Sequence, residues 1–306
     1  MDDGLERMAS ALQQTGQYEI LRRFEPPGVY SPPDGSKLST AIAVDVETTG
    51  RDNQRDSILQ LSVVPFKYSP ATGRIYGVGA PLTYLEDPGV EIPVEITQLT
   101  GITAEAVRGL HIDEAAVVAQ AHAAELVIAH NAQFDRGFLE RRLPVFQSKP
   151  WACTLSEVPW PIGTGSAKLE FLMYKHCGLF FGAHTAESDC LAVIHLLATP
   201  FETGELPMKL LLEASRRRTL RIWATNAPFD KKDLLKARHY LWSPGDDGRP
   251  KAWYRDLPEP DGEAEFEWLR RSVYDGRDGW KQETYGAERR FSSVESRRPS
   301  QPRLFL

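Results

Sequence analysis

Residues 41–50 read AIAVDVETTG, an apolar run that two acids interrupt close to its end. The run has the length and composition of a buried strand. Residues two apart on a strand leave the same face of the sheet, so Asp45 and Glu47 lie side by side. Carboxylates in a core are costly unless they are paired or hold a cation. The stretch therefore predicts either a metal site at the end of a buried strand or a strand end that is partly solvated.

Two further stretches place acids in comparable positions. Residues 128–135, IAHNAQFD, end a buried strand and put Asp135 in the first turn of the next helix. Residues 184–189, HTAESD, put Asp189 at the start of another helix, with a histidine just before it. Each acid alone is commonly a capping or helix-dipole residue. Together the three stretches place acids where α/β sheets gather functional groups.

Composition narrows the class of protein. The chain has 306 residues, of which 42% are hydrophobic, and no apolar run is long enough to span a membrane. The N-terminus is acidic and lacks a secretory leader, so we expect a cytoplasmic protein with no membrane partner. The three cysteines include no C-x-x-C pair, which predicts reduced thiols and no zinc site.

The net charge of −6 hides an asymmetry between two parts of the chain. Residues 1–214 hold 16 Lys and Arg against 27 Asp and Glu, whereas residues 215–306 hold 20 against 15. A basic part next to an acidic site suits a polyanion handled with divalent metals, although solvated surface charge explains much of any such split.

The order of elements predicts an α/β fold. Strands in a hairpin series at 41–47, 58–68 and 74–84, then strands alternating with helices, indicate a mixed sheet flanked by helices. A second pattern of short strands and helices indicates a small C-terminal α+β domain. We expect an N-terminal extension with two helices and a linker at 1–37, a main domain at 38–200, a linker helix at 201–218, the α+β domain at 219–283 and a disordered tail at 284–306.

DVETTG, HNAQFD and HTAESD, in this order, resemble the three motifs of the DEDDh class of RNase H-like 3′→5′ exonucleases. This class includes RNase T and the proofreading epsilon subunit of bacterial DNA polymerase III. The resemblance covers about residues 38–198 and is supported by ITQLTGIT at 96–103, WACT at 151–154 and KL at 168–169. It implies an RNase H-like fold and hydrolysis of phosphodiester bonds at nucleic-acid 3′ ends.

The resemblance also implies a role for each motif residue. Two Mg²⁺ or Mn²⁺ ions, about 4 Å apart, would be bound by Asp45, Glu47, Asp135 and Asp189. His184 would be the general base, since histidine exchanges protons near neutral pH. The residues expected at the terminal nucleotide are Thr48, Thr49, Asn131 and Phe134, although Phe134 could instead be a core residue, which we favour. Thr185 departs from the arginine of many members, which affects the expected substrate contacts.

The implied substrate is DNA, single-stranded or frayed, with release of nucleoside monophosphates in proofreading or repair. An exoribonuclease of the same fold is the enzyme alternative, because the motifs leave the sugar open. An alternative of another class is a non-catalytic protein that binds nucleic-acid ends and recruits a sliding clamp.

The C-terminal part adds two weaker hypotheses. Basic residues interleaved with aromatic ones can grip phosphates and stack bases. On this basis we expect nucleic-acid contacts from Lys232, Lys236 and Arg249, although the neighbouring Tyr240, Trp242, Trp253 and Tyr254 could simply form a core. The final residues, QPRLFL, resemble a clamp-binding peptide through Gln301, Leu304 and Phe305 but depart from it at Pro302 and Arg303.

Overall fold

The first domain is built around one long central strand. The computed structural model describes residues 3–161, 165–245 and 249–293. Among these, the strands of the first domain are β1 (Arg22–Arg23), β2 (Ser39–Thr48), β3 (Ile58–Tyr68), β4 (Ile75–Val78), β5 (Leu82–Leu85), β6 (Leu126–Ala129), β7 (Trp151–Cys153) and β8 (Leu179–Phe180). β2 is buried along most of its length, as its apolar sequence predicts for a strand with neighbours on both sides.

The main sheet is mixed, in strand order β4-β3-β2-β6-β7. β3 pairs antiparallel with β2, and β4 and β5 pair antiparallel with β3. β6 and β7 run parallel with β2 and β6, respectively. This arrangement confirms the predicted α/β class. The single strand predicted at 74–84 is wrong, because β4 and β5 are separate; Pro81, between them, cannot donate to a ladder.

Helices cover both faces of this sheet. They are α1 (Asp3–Gln14), α2 (Val94–Thr100), α3 (Ala104–Val107), α4 (Glu114–Ala123), α5 (Ala132–Arg142), α6 (Val145–Ser148), α7 (Thr154–Glu157), α8 (Leu169–Cys177), α9 (Ala186–Ala198) and α10 (Pro207–Arg216). Ile42, Val44 and Val46 of β2 pack in a core with residues of α4 and α5. Ala41 and Ala43, on the opposite face, pack with residues of α8, α9 and α10. Because side chains alternate along a strand, Asp45 and Glu47 continue the alanine face.

The N-terminal region contains one helix rather than the two predicted within 5–24. α1 is followed by a turn at Gly16, whose φ of 68° is left-handed. The chain then becomes extended, β1 pairs in parallel with β8, and Phe24 is buried in the core under α9. Burial of this one aromatic side chain, together with strand pairing, outweighs the helical tendency of the preceding residues.

α10 is part of the first domain and not a linker between domains. Met208, Leu211 and Leu212 form an apolar stripe at i, i+3 and i+4. All three are buried in the core that contains Ala41. The expectation of a linker helix at 201–218 is therefore corrected: the helix packs against the sheet before the second domain begins.

The second domain is a four-stranded antiparallel sheet with helices on one face. Its elements are β9 (Thr219–Ala224), a 3₁₀ turn (Phe229–Lys231), α11 (Lys232–Ala237), β10 (Leu241–Ser243), β11 (Ala252–Pro258), a 3₁₀ turn (Glu259–Asp261), α12 (Gly262–Ser272) and β12 (Lys281–Tyr285). The strand order is β10-β11-β9-β12. Leu220 and Ile222 pack in a core with Leu235 of α11 and Leu269 of α12. The predicted small α+β domain is present, with β12 as an additional strand.

Residues 286–293, which we call the C-terminal strap, contradict the disordered tail predicted from residue 284. The Trp151 amide donates to the Ala287 carbonyl at 3.0 Å. Arg290 is 9% exposed and donates to Thr219 Oγ1 at 2.9 Å and to Glu157. The strap is polar and lacks periodicity, so a hydrophobic pattern could not reveal it. Side-chain hydrogen bonds from distant residues hold it instead.

Within the described ranges, no helix combines the length and the apolar character needed to cross a bilayer.

Candidate active site

Three acids from two elements meet at the carboxyl end of β2. Asp45 and Glu47 leave the face of β2 that packs against α9, and Asp189 lies in the first turn of α9. One carboxylate oxygen from each of the three lies within 4.8 Å of the others. The structure thus brings together acids that are more than 140 positions apart in the sequence.

The fourth predicted acid adjoins this cluster. α5 begins directly after β6, and its first turn places Asp135 beside the end of β2, where it is 2% exposed. The Val46 amide donates to Asp135 Oδ1 at 3.1 Å. Because Val46 lies between Asp45 and Glu47, this bond fixes Asp135 against the acidic end of β2. We call Asp45, Glu47, Asp135 and Asp189 the acidic cluster.

Burial and mutual repulsion make this cluster hard to ionise. Burial, followed by the charges of Asp135, Asp189 and Glu47, raises the pKa of Asp45 well above its usual range. Burial raises the pKa of Glu47 to about 7 and is also the main cause of the raised pKa of Asp135 and of Asp189. In the absence of a cation, these four acids therefore bind protons more readily than isolated carboxyl groups do.

The donor set fits hard divalent cations. Mg²⁺ and Mn²⁺ prefer carboxylate oxygens. The charged side chains that act on Asp45 are all acids, so a cation would relieve both repulsion and desolvation. The acidic cluster can therefore hold divalent metal, with Asp45, Glu47 and Asp189 as the group whose oxygens lie within 4.8 Å of one another.

Metal binding is expected to matter more for stability at high pH. A carboxyl with a raised folded-state pKa contributes stability that is fully present below its unfolded pKa and is lost as pH rises through the folded value. For Glu47 this window runs from 4.5 to about 7. We expect the rise in thermal midpoint on replacing EDTA with millimolar Mg²⁺ to be larger at about pH 8 than at about pH 5. Equal rises at both pH values would contradict this electrostatic account of the cluster.

His184 lies at the margin of the acidic cluster. Its amide donates to Asp189 Oδ2 at 3.0 Å, and its φ of 66° is left-handed. Its side chain is 43% exposed, and Nε2 lies 4.0 Å from Glu170 Oε1. The backbone therefore fixes the position of the residue, while the imidazole faces solvent near the acids. Glu170 was not identified from the sequence, because nothing in its spacing connects it to His184.

Thr48 and Thr49 are both placed next to the cluster, but their hydroxyls are already engaged. Thr48 Oγ1 donates to the Gly50 carbonyl at 2.5 Å. Thr49 Oγ1 accepts from the Ser57 amide at 3.0 Å. Each residue is 6% exposed. The two hydroxyls shape the loop after β2, and the Thr49 amide donates to the Ser57 carbonyl at 2.9 Å. The substrate contacts expected of Thr48 and Thr49 stay a prediction.

Asn131 and Phe134 lie on the solvent side of the same helix start. Asn131 is exposed, has a φ of 76°, and makes no side-chain cap hydrogen bond to α5. Phe134 is half-buried, with its ring centroid 5.1 Å from that of Phe138. Phe134 therefore packs at the edge of the core and also lines a cleft. The core position that we favoured and a position beside the substrate are compatible.

His130 is held inside the fold through both of its ring nitrogens. Nδ1 lies 2.8 Å from Thr154 Oγ1, and Nε2 lies 2.9 Å from the Ala167 carbonyl. Burial lowers the pKa of His130 to about 4. Both ring nitrogens are occupied, and the ring is neutral near pH 7.

The basic residues predicted to contact nucleic acid lie on two surfaces. Lys232 and Lys236 are one turn apart on α11, and Lys236 Nζ lies 5.9 Å from the Trp253 ring centroid. The guanidinium carbon of Arg249 lies 5.7 Å from the Tyr254 ring centroid. Trp253 and Tyr254 are consecutive in β11, so they point to opposite faces of the sheet. The nucleic-acid role of these residues stays a prediction.

The aromatic residues of the second domain are divided between core and surface. Tyr240 is 2% exposed, and its hydroxyl donates to Glu265 Oε1 at 3.0 Å. Trp242 is 48% exposed and packs edge-on against Trp253. Tyr240 is thus a core residue, whereas Trp242 remains available on the surface. Gln301, Leu304 and Phe305 of the predicted clamp peptide lie outside the described residues.

Sequence reasoning missed a buried ion pair behind the cluster. Arg136 and Glu140 have fully buried side chains, with Nε to Oε2 at 3.0 Å. Arg136 follows Asp135 directly, and it donates to the carbonyls of Glu288 and Arg290, each at 2.7 Å. An Arg and a Glu four apart on a helix ordinarily indicate a surface pair. Their buried role depends on the C-terminal strap, which no local pattern predicts.

Comparison with known proteins agrees with the motifs. A family model described as an exonuclease, RNase_T, matches residues 42–197. The DNA polymerase III PolC-type of Clostridium perfringens is 33% identical over 173 residues, which are 53% of this chain. The chain spans only 11% of that much longer protein.

Solved structures with similar folds include two exonucleases. Exonuclease X in complex with 5′ overhanging duplex DNA is 21% identical, with 57% of this chain and 90% of that chain covered and a TM-score of 0.39. Escherichia coli exonuclease I in complex with a dT13 oligonucleotide is 16% identical, with 72% of this chain and 64% of that chain covered and a TM-score of 0.47.

Proposed function

We propose, from the premise that this chain belongs to the exonuclease family RNase_T, that it is a metal-dependent 3′→5′ exonuclease. Its proposed substrate is the 3′ end of single-stranded or frayed DNA, and its product is nucleoside monophosphate. The observation that carries the proposal is the acidic cluster. Three carboxylates within 4.8 Å of one another have little structural value without cations, but they suit a centre that handles phosphate.

The residues of the acidic cluster are the proposed metal ligands. Asp45, Glu47, Asp135 and Asp189 would hold two divalent ions, Mg²⁺ or Mn²⁺. Bound divalent ions supply Lewis acidity for phosphodiester hydrolysis by water. The Val46 amide donates to Asp135 at 3.1 Å and so fixes the carboxylate of Asp135 relative to Asp45 and Glu47. Backbone groups of the loop after β2 would position the terminal nucleotide.

His184 is the proposed general base, because its amide holds it against Asp189 while its imidazole is exposed to water. Glu170 Oε1, 4.0 Å away, would stabilise the imidazolium that forms. We expect His184→Ala to lower kcat by about 10²- to 10⁴-fold with little change in KM. His111→Ala, at an exposed histidine of another loop, is the control. A kcat within a factor of a few of the wild type would remove His184 from this role.

The choice of DNA rests on the similarity to a DNA polymerase III over 173 residues. A role in proofreading or repair is part of the same proposal. Because the motifs leave the sugar open, recognition of a 2′-hydroxyl has to be measured directly.

Matched DNA and RNA single strands, labelled at either end and incubated with Mg²⁺, Mn²⁺ or EDTA, test the proposal. We expect stepwise shortening of 5′-labelled DNA, immediate release of label from 3′-labelled DNA, and no reaction with EDTA. Faster shortening of RNA would favour the exoribonuclease. Binding without nucleotide release in either metal would favour the non-catalytic end-binding protein.

A further inference from the structure

A cleft of about 430 Å³ is closed on one side by the C-terminal strap. Its walls come from the loop after β2, the start of α5, the second domain and the strap. The residues that give it its character are Arg51, Asn131, Phe134, Phe138, Arg249 and Phe291. The second domain and the strap lie outside the region that matches the family model, residues 42–197. This part of the cleft is therefore a feature of this chain beyond the family match.

The strap side of the cleft is held rigidly. Glu140 accepts from Ser292 Oγ at 2.9 Å and from Ser293 Oγ at 3.0 Å. Phe291, between Arg290 and Ser292, has a φ of 68°, which is strained for a bulky side chain. Strain of this kind persists only where the surroundings enforce it, and it concentrates at functional sites. The hydrogen bonds of the neighbouring residues therefore hold Phe291 in this conformation.

The chemistry of the walls matches a single nucleic-acid strand. Phe134 and Phe291 are partly buried and provide aromatic surface, whereas Phe138 lies behind them in the core and is 1% exposed. Arg51 is exposed, and Arg249 enters from the second domain. None of the described residues that line the cleft is acidic. Aromatic rings combined with cations bind single strands by stacking bases and neutralising phosphates.

The cleft shares two chain segments with the proposed reaction centre. Phe134 directly precedes Asp135, and Arg51 lies in the loop that follows Glu47. We propose that this cleft binds the substrate strand on the 5′ side of the scissile bond, with a base against Phe134 and Phe291 and phosphate near Arg51 and Arg249. The proposal rests on the proposed exonuclease function and extends it to a subsite completed by the C-terminal strap.

The test compares a substrate that reaches the cleft with one that does not. The first is a 5′-labelled DNA strand of about ten nucleotides, and the second is the p-nitrophenyl ester of thymidine 5′-monophosphate. Arg51→Gln and Phe291→Ala are each expected to lower the ratio of kcat/KM for the strand to kcat/KM for the ester about tenfold. Arg55→Gln is the control, because Arg55 lies exposed in the same loop but does not line the cleft.

Binding of the same strand in EDTA, followed by fluorescence anisotropy, separates this proposal from the proposed function. If the wild type cleaves neither substrate, the exonuclease function fails, while weaker strand binding by Arg51→Gln still supports the subsite. Because Phe291→Ala could unfold the strap, Arg51→Gln keeps the test independent of folding. Unchanged ratios and unchanged binding would overturn the proposal. A lower ratio and weaker strand binding found only in the double variant Lys232→Gln, Lys236→Gln would also overturn it. The strand would then lie on the opposite face of the second domain.

Discussion

Replacing Asp45 with asparagine is expected to lower the rate of nucleotide release by about 10³-fold or more, while single-strand binding in EDTA persists. Asn keeps the size of the side chain but removes a negative charge from the centre of the acidic cluster. The remaining acids hold cations less well, so the transition state loses its electrostatic stabilisation. The strand contacts proposed for the cleft lie elsewhere. Single-turnover shortening of 5′-labelled DNA and fluorescence anisotropy measure the two quantities separately.

Glu187→Gln is the matched control for this substitution. Glu187 lies in the same motif as Asp189, but its Oε2 accepts from Thr83 Oγ1 at 2.6 Å and it is not part of the acidic cluster. Gln can still accept that hydrogen bond, so we expect the control to release nucleotides at close to the wild-type rate. Comparable losses in Asp45→Asn and Glu187→Gln, or undiminished release by Asp45→Asn, would refute the assignment of Asp45 to the centre.

Arg136→Met is expected to destabilise the protein by about 3–5 kcal/mol. The substitution removes the guanidinium that pairs with Glu140, whose side chain is fully buried. It also removes the donors that hold the Glu288 and Arg290 carbonyls, each at 2.7 Å. The strap should detach first, because its backbone depends on these bonds. Urea denaturation gives the change in free energy of unfolding, and limited proteolysis locates the loosened segment.

Arg142→Met provides the comparison on the same helix. Arg142 is paired with Glu86 and Glu114, and its side chain is 27% exposed. Partly solvated pairs of this kind contribute about 0–1 kcal/mol. The double variant Arg136→Met, Glu140→Met removes both charges and should recover part of the loss. An Arg136→Met protein as stable as Arg142→Met would show that the buried pair does not hold the strap.

The acidic cluster could be predicted from sequence because each of its parts is a local pattern. Alternation along β2 places Asp45 and Glu47 on one face, and the start of α5 or α9 places one further acid at the carboxyl edge of the sheet. Only the resemblance to known motifs connected these parts and assigned their roles. Distances and hydrogen bonds, such as that from the Val46 amide to Asp135, required the structure.

The contributions of the C-terminal half could not be predicted in the same way. The strap has no apolar periodicity, and the groups that bind it, Arg136 and Glu140, lie about 150 positions earlier in the chain. Met208 and Leu211 have a clear helical spacing, but the sequence does not show which core they join. In both cases the decisive interactions are long-range. Composition therefore predicted a disordered tail where the C-terminal strap packs on the first domain, and a linker where α10 joins the core.

Counting the metal ions bound by the full chain tests whether the acidic cluster is a centre for two divalent ions. Titration with Mn²⁺, with free Mn²⁺ followed by electron paramagnetic resonance, needs neither substrate nor turnover. We expect the wild-type chain to bind about two Mn²⁺ ions. Mg²⁺ should compete for the same sites, and Asp45→Asn should bind Mn²⁺ markedly more weakly. Absence of binding, or equal binding by the wild type and Asp45→Asn, would contradict this expectation.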